Sequence, residues 1–167
     1  RAGTAPATSA TSTNDVPAVC STDLLDLVAR SHDTLVEACT VSTSSQRYVA
    51  AHLAALRAAA GLLAWKAPRS LSSKPRSAWV TLAQHAPELG EWAAFFTESG
   101  RRSRAVSAGI LVPAAREADD LVRQAETFLQ IVLDHAGLPR LAPVESGAMA
   151  SAAKPRPTRT PVRLSIH

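Results

Sequence analysis

The chain has 167 residues, a formal net charge of +4 and only 4% aromatic residues. That length allows one domain with a core of ordinary size and additional tails. Alanine is abundant and aromatic residues are scarce, which favours helices over β-sheets. No run of apolar residues approaches the ~20 that span a bilayer, and the start lacks a signal-peptide pattern. We therefore expect a soluble, cytoplasmic domain with no membrane partner.

The positive charge is concentrated near the C-terminus. Residues 21–138 carry twelve basic and twelve acidic residues, whereas residues 139–167 carry five basic residues and one acidic residue. Residues 1–20 are rich in Ala, Thr, Ser and Pro, and residues 139–167 in Pro, Ala and Arg. Such segments bury too little apolar surface to fold. The composition therefore predicts one folded domain over 21–138 between disordered tails, of which the second could tether nucleic acid.

The first half of the domain predicts an antiparallel helical hairpin. A first helix over 22–39 has Thr22 as N-cap, and a second over 44–65 has Ser44 or Ser45 as N-cap. Each helix has an apolar stripe that we expect to face the core. The first stripe comprises Leu24, Leu25, Val28, His32, Leu35, Val36 and Cys39. The second comprises Val49, His52, Leu53, Leu56, Ala60 and Leu63. Cys20 and Cys39 are about 28 Å apart along such a helix, so we expect free thiols.

The second half predicts three more helices after a Pro-punctuated basic loop at 67–76. They cover 77–85, 87–107 and 113–135, with Gly109 and Gly137 as stop signals. The last has the clearest apolar face and a predicted Asp119–Arg123 pair on its other side. In the fourth helix Trp92, Phe95 and Phe96 form the buried half, or alternatively a base-stacking platform. The fold class is thus all-α, an up-and-down bundle of about five helices.

Three segments together resemble an actinobacterial family of HEPN domains. They are RYVAAHLAALRAA in the second helix, SAWVTLAQHAPELGEWAAFF in the middle, and AREADDLVRQAETFL in the last helix. The resemblance covers about 23–138 and implies a bundle of four or five helices that often dimerises. It also implies a choice of functions, because many members are metal-independent ribonucleases and others are non-catalytic modules that accompany nucleotidyltransferases.

Catalytic HEPN members share an Arg-x4–6-His motif, and Arg47 and His52 fit that spacing. By this resemblance His52 would move protons and Arg47 would stabilise charge on the phosphate, while Tyr48 could orient the His52 ring. The two side chains are about 140° apart on a regular helix. They converge only if Arg47 lies in the first turn or reaches across a partner helix.

Two functions stay open at this point. The chain is an RNA- or nucleotide-associated HEPN module, with ribonuclease activity in the catalytic case, or a non-catalytic protein-interaction or dimerisation module in which Arg47 and His52 are structural. The expected partners are RNA, a second copy or another protein. No metal-ligand spacing or cofactor motif occurs, so we expect neither. The candidate phosphate-binding residues, alternatively a solvated basic face, are Arg101, Arg102, Arg104, Arg69, Lys74 and Arg76.

Overall fold

The computed structural model describes residues 15–66 and 77–144, with side chains from residue 22 onward. These residues form five α-helices and contain no strand, which confirms the predicted all-α class. The helices are α1 (Asp15–Thr40), α2 (Ser44–Lys66), α3 (Ala78–His85), α4 (Gly90–Ser107) and α5 (Ala115–His135). A 3-10 turn at Pro87–Leu89 precedes α4, where the sequence predicts one continuous helix.

The central helix is α2. It packs most extensively on α1 and α5, and it also contacts α3 and α4. The α4 and α5 backbones lie farther apart and are joined by side chains such as Phe96 and Phe128. A groove lined by both helices, with Tyr48 of α2 at its base, lies between them.

The first helix begins at Asp15, seven residues before the predicted start at Thr22. Pro17 is compatible with this, because a proline in the first turn has no helical N–H bond to lose. The predicted apolar stripe of α1 is partly wrong, since Leu25 is 51% and Val36 is 44% exposed. Three members of the predicted stripe, Leu24, Val28 and Leu35, are buried as expected, and the rest of the buried face is small or polar: Ser31, Thr34 and Ala38. The Ser31 hydroxyl donates to the Ala54 carbonyl of α2 over 2.8 Å.

The predicted buried stripe of α2 is also wrong. Leu53 is 39% exposed, and the other stripe residues are only half-buried. The buried face lies on the opposite side and comprises Tyr48, Ala51, Ala54, Ala55, Ala58, Ala59, Gly61 and Leu62. Small side chains let α1 and α5 approach closely. At Gly61 a Cβ atom would lie 3.3 Å from side-chain atoms of both Leu24 and Leu27.

The N-cap of α2 is Thr43, one residue before the predicted positions. Its hydroxyl accepts from the Gln46 backbone N–H over 3.2 Å and donates to the Gln46 side-chain carbonyl over 2.9 Å. This Thr-x-x-Gln arrangement is close to a capping box. The Ser44 hydroxyl donates instead to the Pro113 carbonyl over 2.7 Å, which ties the start of α2 to the loop before α5.

An aromatic cluster joins α3, α4 and α5. Phe96 and Phe128 are fully buried at its centre, with Trp79 stacked on Phe96 at a centroid distance of 5.0 Å and Trp92 at 6.0 Å. These residues therefore belong to the core. Phe95 differs from the prediction because it is 43% exposed and lines the groove between α4 and α5.

The apolar face predicted for α5 is confirmed, since all seven of its members are buried: Ala118, Leu121, Val122, Ala125, Phe128, Leu129 and Val132. The predicted stops are confirmed as well. Gly109 and Gly137 have φ values of 71° and 66°, a left-handed conformation that favours glycine. Each follows the C-cap residue, and paired backbone bonds such as Leu138 N–H to the Leu133 carbonyl close a Schellman motif.

Contacts extend six residues past the tail boundary that the composition predicts at residue 139. Residues 138–144 return along α5, where the Arg140 guanidinium donates to Asp134 over 2.6 Å and the Val144 backbone N–H donates to Glu126 over 2.7 Å. Residue 145 and those after it lie outside the described residues, as does the basic loop at 67–76. On α1, Cys39 is a free, half-buried thiol, while the Cys20 side chain lies outside the described set.

One described helix, α2, is long and apolar enough to cross a membrane. The sequence has no unbroken apolar run of that length, and α2 qualifies through its length and mean hydropathy. Within the bundle α2 packs against α1, α3, α4 and α5. This is the position of a core helix, which meets the same criteria of length and composition.

Candidate functional site

Arg47 lies in the first turn of α2 and is bound to α5. One guanidinium nitrogen, Nη1, donates to Asp119 Oδ1 over 2.5 Å, and Nη2 donates to the Val41 carbonyl over 3.2 Å. The Arg47 and Asp119 side chains are only 20% and 21% exposed. The predicted Asp119–Arg123 pair is therefore wrong, and Arg123 binds Asp120 instead.

His52 lies on another side of α2, against α3 and α4. Its Nδ1 forms a hydrogen bond of 2.8 Å with the Ser99 hydroxyl, and its ring centroid is 6.1 Å from that of Trp79. Ser99 is buried. The backbone of Gly100 forms a wall beside the ring, because a Cβ atom there would lie 3.1 Å from His52 Nε2. His52 is therefore held by neighbours on two helices.

The structure does not bring the Arg47 and His52 side chains to a shared partner. Arg47 contacts α5 and the loop before α2, whereas His52 contacts α3 and α4. Arg47 does lie in the first turn, which is one of the two conditions for convergence, but its guanidinium is directed to Asp119. The catalytic role of the pair stays a prediction.

Gly100 and His52 are expected to be energetically coupled. A glycine-to-alanine change inside a helix normally stabilises by roughly 0.5–1 kcal/mol. In the wild-type protein we expect Gly100→Ala to destabilise, since its Cβ would displace the His52 ring from Ser99. In a His52→Ala background the same change should stabilise by about 0.5–1 kcal/mol. Chemical denaturation of the four proteins measures this coupling, and equal effects in both backgrounds would contradict it.

The titration of His52 is expected to make stability depend on pH. Burial lowers the pKa of His52 from its ordinary value, and the positive charge of Arg104 lowers it further. The unfolded chain therefore binds a proton, at a pKa of about 6.5, that the native state binds less tightly. The stability that neutral His52 contributes to the native state is therefore complete above pH ~6.5. It is lost as the pH falls below that value, because the unfolded state then gains a proton that the native state takes up less readily.

Unfolding free energies at pH 7.5 and 5.5 test this expectation. The wild-type protein should lose more stability between the two values than His52→Gln does, by up to about 1 kcal/mol. His85→Gln, which changes an exposed histidine of α3, should lose as much as the wild type. If His52→Gln loses as much as the wild type, the expectation is wrong.

Tyr48 is buried at the base of the groove between α4 and α5, which has a volume of about 780 Å³. Burial raises the pKa of the Tyr48 hydroxyl, and the nearby guanidinium of Arg102 opposes that rise. Tyr48 therefore faces Arg102 and not the His52 ring, whose described partners are Ser99, Trp79 and Phe96. Ser99 lines the same groove, so its hydroxyl links the groove to His52.

The predicted basic patch on α4 is largely neutralised within the domain. Arg101 binds Glu98 over 2.9 Å, and Arg102 binds Glu117 of α5 over 2.6 Å across the groove. Arg104 is exposed and has no ion-pair partner within the described part of the chain. The other three predicted residues lie outside the described residues: Arg69, Lys74 and Arg76.

Sequence reasoning missed the residues that hold the motif in place. Ser99 forms a hydrogen bond with His52, and Gly100 packs closely beside the His52 ring. Asp119 forms an ion pair with Arg47. Small residues at 99, 100 and 103 in the polar half of α4 were the available signal, because they face inward. Among the described residues, no group of three or more His, Cys, Asp or Glu could hold a metal ion.

Comparison with protein families gives a match that covers most of the bundle. A model of the SAV_6107-like HEPN family matches residues 38–133, from the end of α1 to near the end of α5. Comparisons with curated proteins and with solved structures gave no match. The family segment contains the whole of α2 and both Arg47 and His52. Because the match covers more than half of the chain, this protein belongs to the SAV_6107-like HEPN family.

Proposed function

We propose that this domain is a HEPN module associated with RNA or nucleotides that does not itself cleave RNA. Membership in the HEPN family supports the first half of the proposal. One observation carries the second half: the Arg47 and His52 side chains are each bound to different helices of the same chain. A cytoplasmic location is part of this proposal, since RNA and nucleotides are handled there.

Metal-free cleavage of RNA needs a proton-transfer group and a phosphate-stabilising cation at the same phosphodiester. In Arg47 both terminal nitrogens donate within the protein, so binding a phosphate would break its part-buried ion pair. In His52 one ring nitrogen is bound to Ser99 and the other lies beside Gly100. A single chain in this conformation therefore offers no site at which both groups reach one phosphate.

Affinity for RNA is expected to reside mainly in the basic segments outside the described residues. Residues 22–66 and 77–144 carry ten basic and twelve acidic residues. The basic excess of the chain falls in 67–76 and 145–167, which contain seven basic residues and one acidic residue. Contacts between Lys or Arg and phosphates release counterions, so such binding weakens steeply with salt.

Binding of a fluorescein-labelled RNA oligonucleotide and of transfer RNA, in EDTA, tests this proposal. We expect intact RNA, and an affinity that falls with salt and drops further when residues 145–167 are deleted. This deletion leaves the contacts of residues 138–144 in place. Cleavage by pure wild-type protein would contradict the proposal, as would an absence of binding at low salt.

The second candidate is a metal-independent ribonuclease that uses Arg47 and His52. One observation favours it: burial lowers the pKa of His52, so its ring is neutral near pH 7, as a general base requires. The same assay with His52→Ala, Arg47→Ala and the exposed control Arg101→Ala decides between the two. Cleavage that is lost in the first two folded variants and kept in the control would establish the ribonuclease.

A further inference from the structure

Ser99 carries a buried hydroxyl group that the proposed function does not use. It lies on α4, is 5% exposed, and lines the groove between α4 and α5. Its Oγ atom is 2.8 Å from Nδ1 of His52. When the His52 ring carries its proton on Nε2, the Ser99 hydroxyl donates to Nδ1. A serine and a histidine joined in this way form the pair by which nucleophilic serines are activated.

His52 is available as a proton acceptor near pH 7. Burial lowers the pKa of its ring, and the positive charge of Arg104 lowers it further, so the ring is neutral. Trp79 of α3 and the backbone of Gly100 hold the ring in place beside Ser99. A neutral base in a fixed position can take the serine proton without prior rearrangement. The same burial and charge disfavour the imidazolium that then forms, so we expect a slow reaction.

The same groove supplies a cation close to Ser99. Arg102 lies one turn further along the same face of α4, and its guanidinium binds Glu117 of α5 over 2.6 Å. The Tyr48 hydroxyl also lies within hydrogen-bond reach of this guanidinium. The Arg102 Nε atom is buried and has no hydrogen-bond partner among the described residues. An oxygen atom that gains negative charge beside Ser99 would therefore meet an N–H donor.

The remaining lining of the groove includes apolar side chains on both helices. Phe95 of α4, which is 43% exposed, and Leu121 of α5 are two of them. The volume of about 780 Å³ lies within the range of pockets that bind small organic molecules. The groove therefore suits a small molecule that places an apolar or aromatic group beside an electrophilic carbonyl.

We propose that Ser99 is a nucleophile, with His52 as its general base, that accepts an acyl group from apolar esters bound in this groove. The Ser99 Oγ atom attacks the ester carbonyl carbon while its proton moves to Nδ1 of His52. The bond to the leaving oxygen then breaks, and that oxygen takes the proton from His52. The products are an acyl ester of Ser99 and a free alcohol. Arg102 stabilises the oxyanion that forms between the two steps.

Labelling of the full chain with an alkyl fluorophosphonate tests the nucleophile. The Ser99 Oγ atom displaces fluoride from phosphorus, and its proton passes through His52 to solvent, so a stable adduct forms. We expect peptide mapping to assign that adduct to Ser99. Ser103, a second buried serine one turn along α4, does not line the groove and should stay unlabelled. Trypsin separates the two serines, because it cleaves after Arg101 and Arg102.

Three variants, each checked for folding by circular dichroism, test the activation. Ser99→Ala should abolish labelling, and His52→Gln should slow it by at least about tenfold. Ser103→Ala should leave the rate unchanged. Wild-type protein unfolded in urea should not be labelled, which tests the folded arrangement without any substitution. The absence of a Ser99 adduct after prolonged incubation with excess probe would overturn the proposal, as would equal rates in wild type and folded His52→Gln.

Hydrolysis of p-nitrophenyl butyrate tests the acyl transfer itself. We expect release of p-nitrophenol and a butyryl group on Ser99, both lost in Ser99→Ala and slowed at least about tenfold in folded Arg102→Gln. Fluorophosphonate labelling without any butyryl adduct would overturn the acyl-transfer step. The proposal goes beyond RNA association and involves neither Arg47 nor the basic segments. Ser99→Ala should therefore bind RNA as the wild type does, so a failure of either proposal is distinguishable from a failure of the other.

Discussion

Replacing Phe96 with alanine is expected to lower the free energy of unfolding by about 3–5 kcal/mol. The Phe96 ring is fully buried and contacts aromatic rings from α3, α4 and α5. Its centroid lies 5.0 Å from that of Trp79 and 5.2 Å from that of Phe128. Truncation removes the buried apolar area and leaves a cavity that rigid rings cannot collapse to fill.

Urea denaturation followed by circular dichroism measures this effect. Phe95→Ala is the matched control, because it removes the same atoms one residue away at a position that is 43% exposed, and it should cost under about 1.5 kcal/mol. If Phe96→Ala does not fold, Phe96→Leu should fold with a smaller loss. Equal losses for Phe96→Ala and Phe95→Ala would show that the cluster is not the centre of the core.

Replacing Arg47 with alanine is expected to cost about 2–4 kcal/mol, somewhat less than breaking a fully buried pair. The change leaves the Asp119 carboxylate four-fifths buried without its guanidinium, and it removes the donor to the Val41 carbonyl. Asp119→Ala should cost a similar amount, since the Arg47 guanidinium then lacks its carboxylate partner. The Arg47 Nε atom is already buried without a hydrogen-bond partner.

A double-mutant cycle separates the interaction energy between Arg47 and Asp119 from the other contributions of each residue to stability. We expect the Arg47→Ala, Asp119→Ala double variant to lose at least about 1 kcal/mol less than the sum of the single losses. Arg123→Ala is the control on α5, because its partner is Asp120 and their side chains are 68% and 51% exposed. An exposed pair of this kind is worth about 0–1 kcal/mol. Additive losses at Arg47 and Asp119 would mean that the two do not stabilise one another.

The stability role of Arg47 affects how its functional assays are interpreted. A loss of RNA cleavage or binding in Arg47→Ala has two explanations, the loss of a functional guanidinium and the partial unfolding of the start of α2. Asp119→Ala distinguishes them, because it breaks the same pair and keeps the arginine. A functional arginine predicts retained activity in Asp119→Ala at temperatures where that variant is folded.

The helix count and most helix ends were determined by local sequence. The face of α5 was predicted except for Leu133, because its large apolar residues, such as Leu121 and Phe128, alternate with charged ones at helical spacing. Gly109 and Gly137 ended α4 and α5 as predicted, since a left-handed conformation strains other residues. The family resemblance likewise depended on local segments, and the family match covers them.

Only the tertiary structure decided which side of α2 is buried and which residues hold Arg47 and His52. Large apolar residues and alanines occupy opposite faces of α2. Because both faces are apolar, hydrophobic periodicity could not distinguish the buried face from the outward one. The close approach of α1 and α5 favours the alanine face, where side chains are small enough to admit both helices. Asp119 and Ser99 are distant in sequence from their partners on α2, so no local pattern could pair them. Such contacts depend on how whole helices pack, which single-helix patterns do not encode.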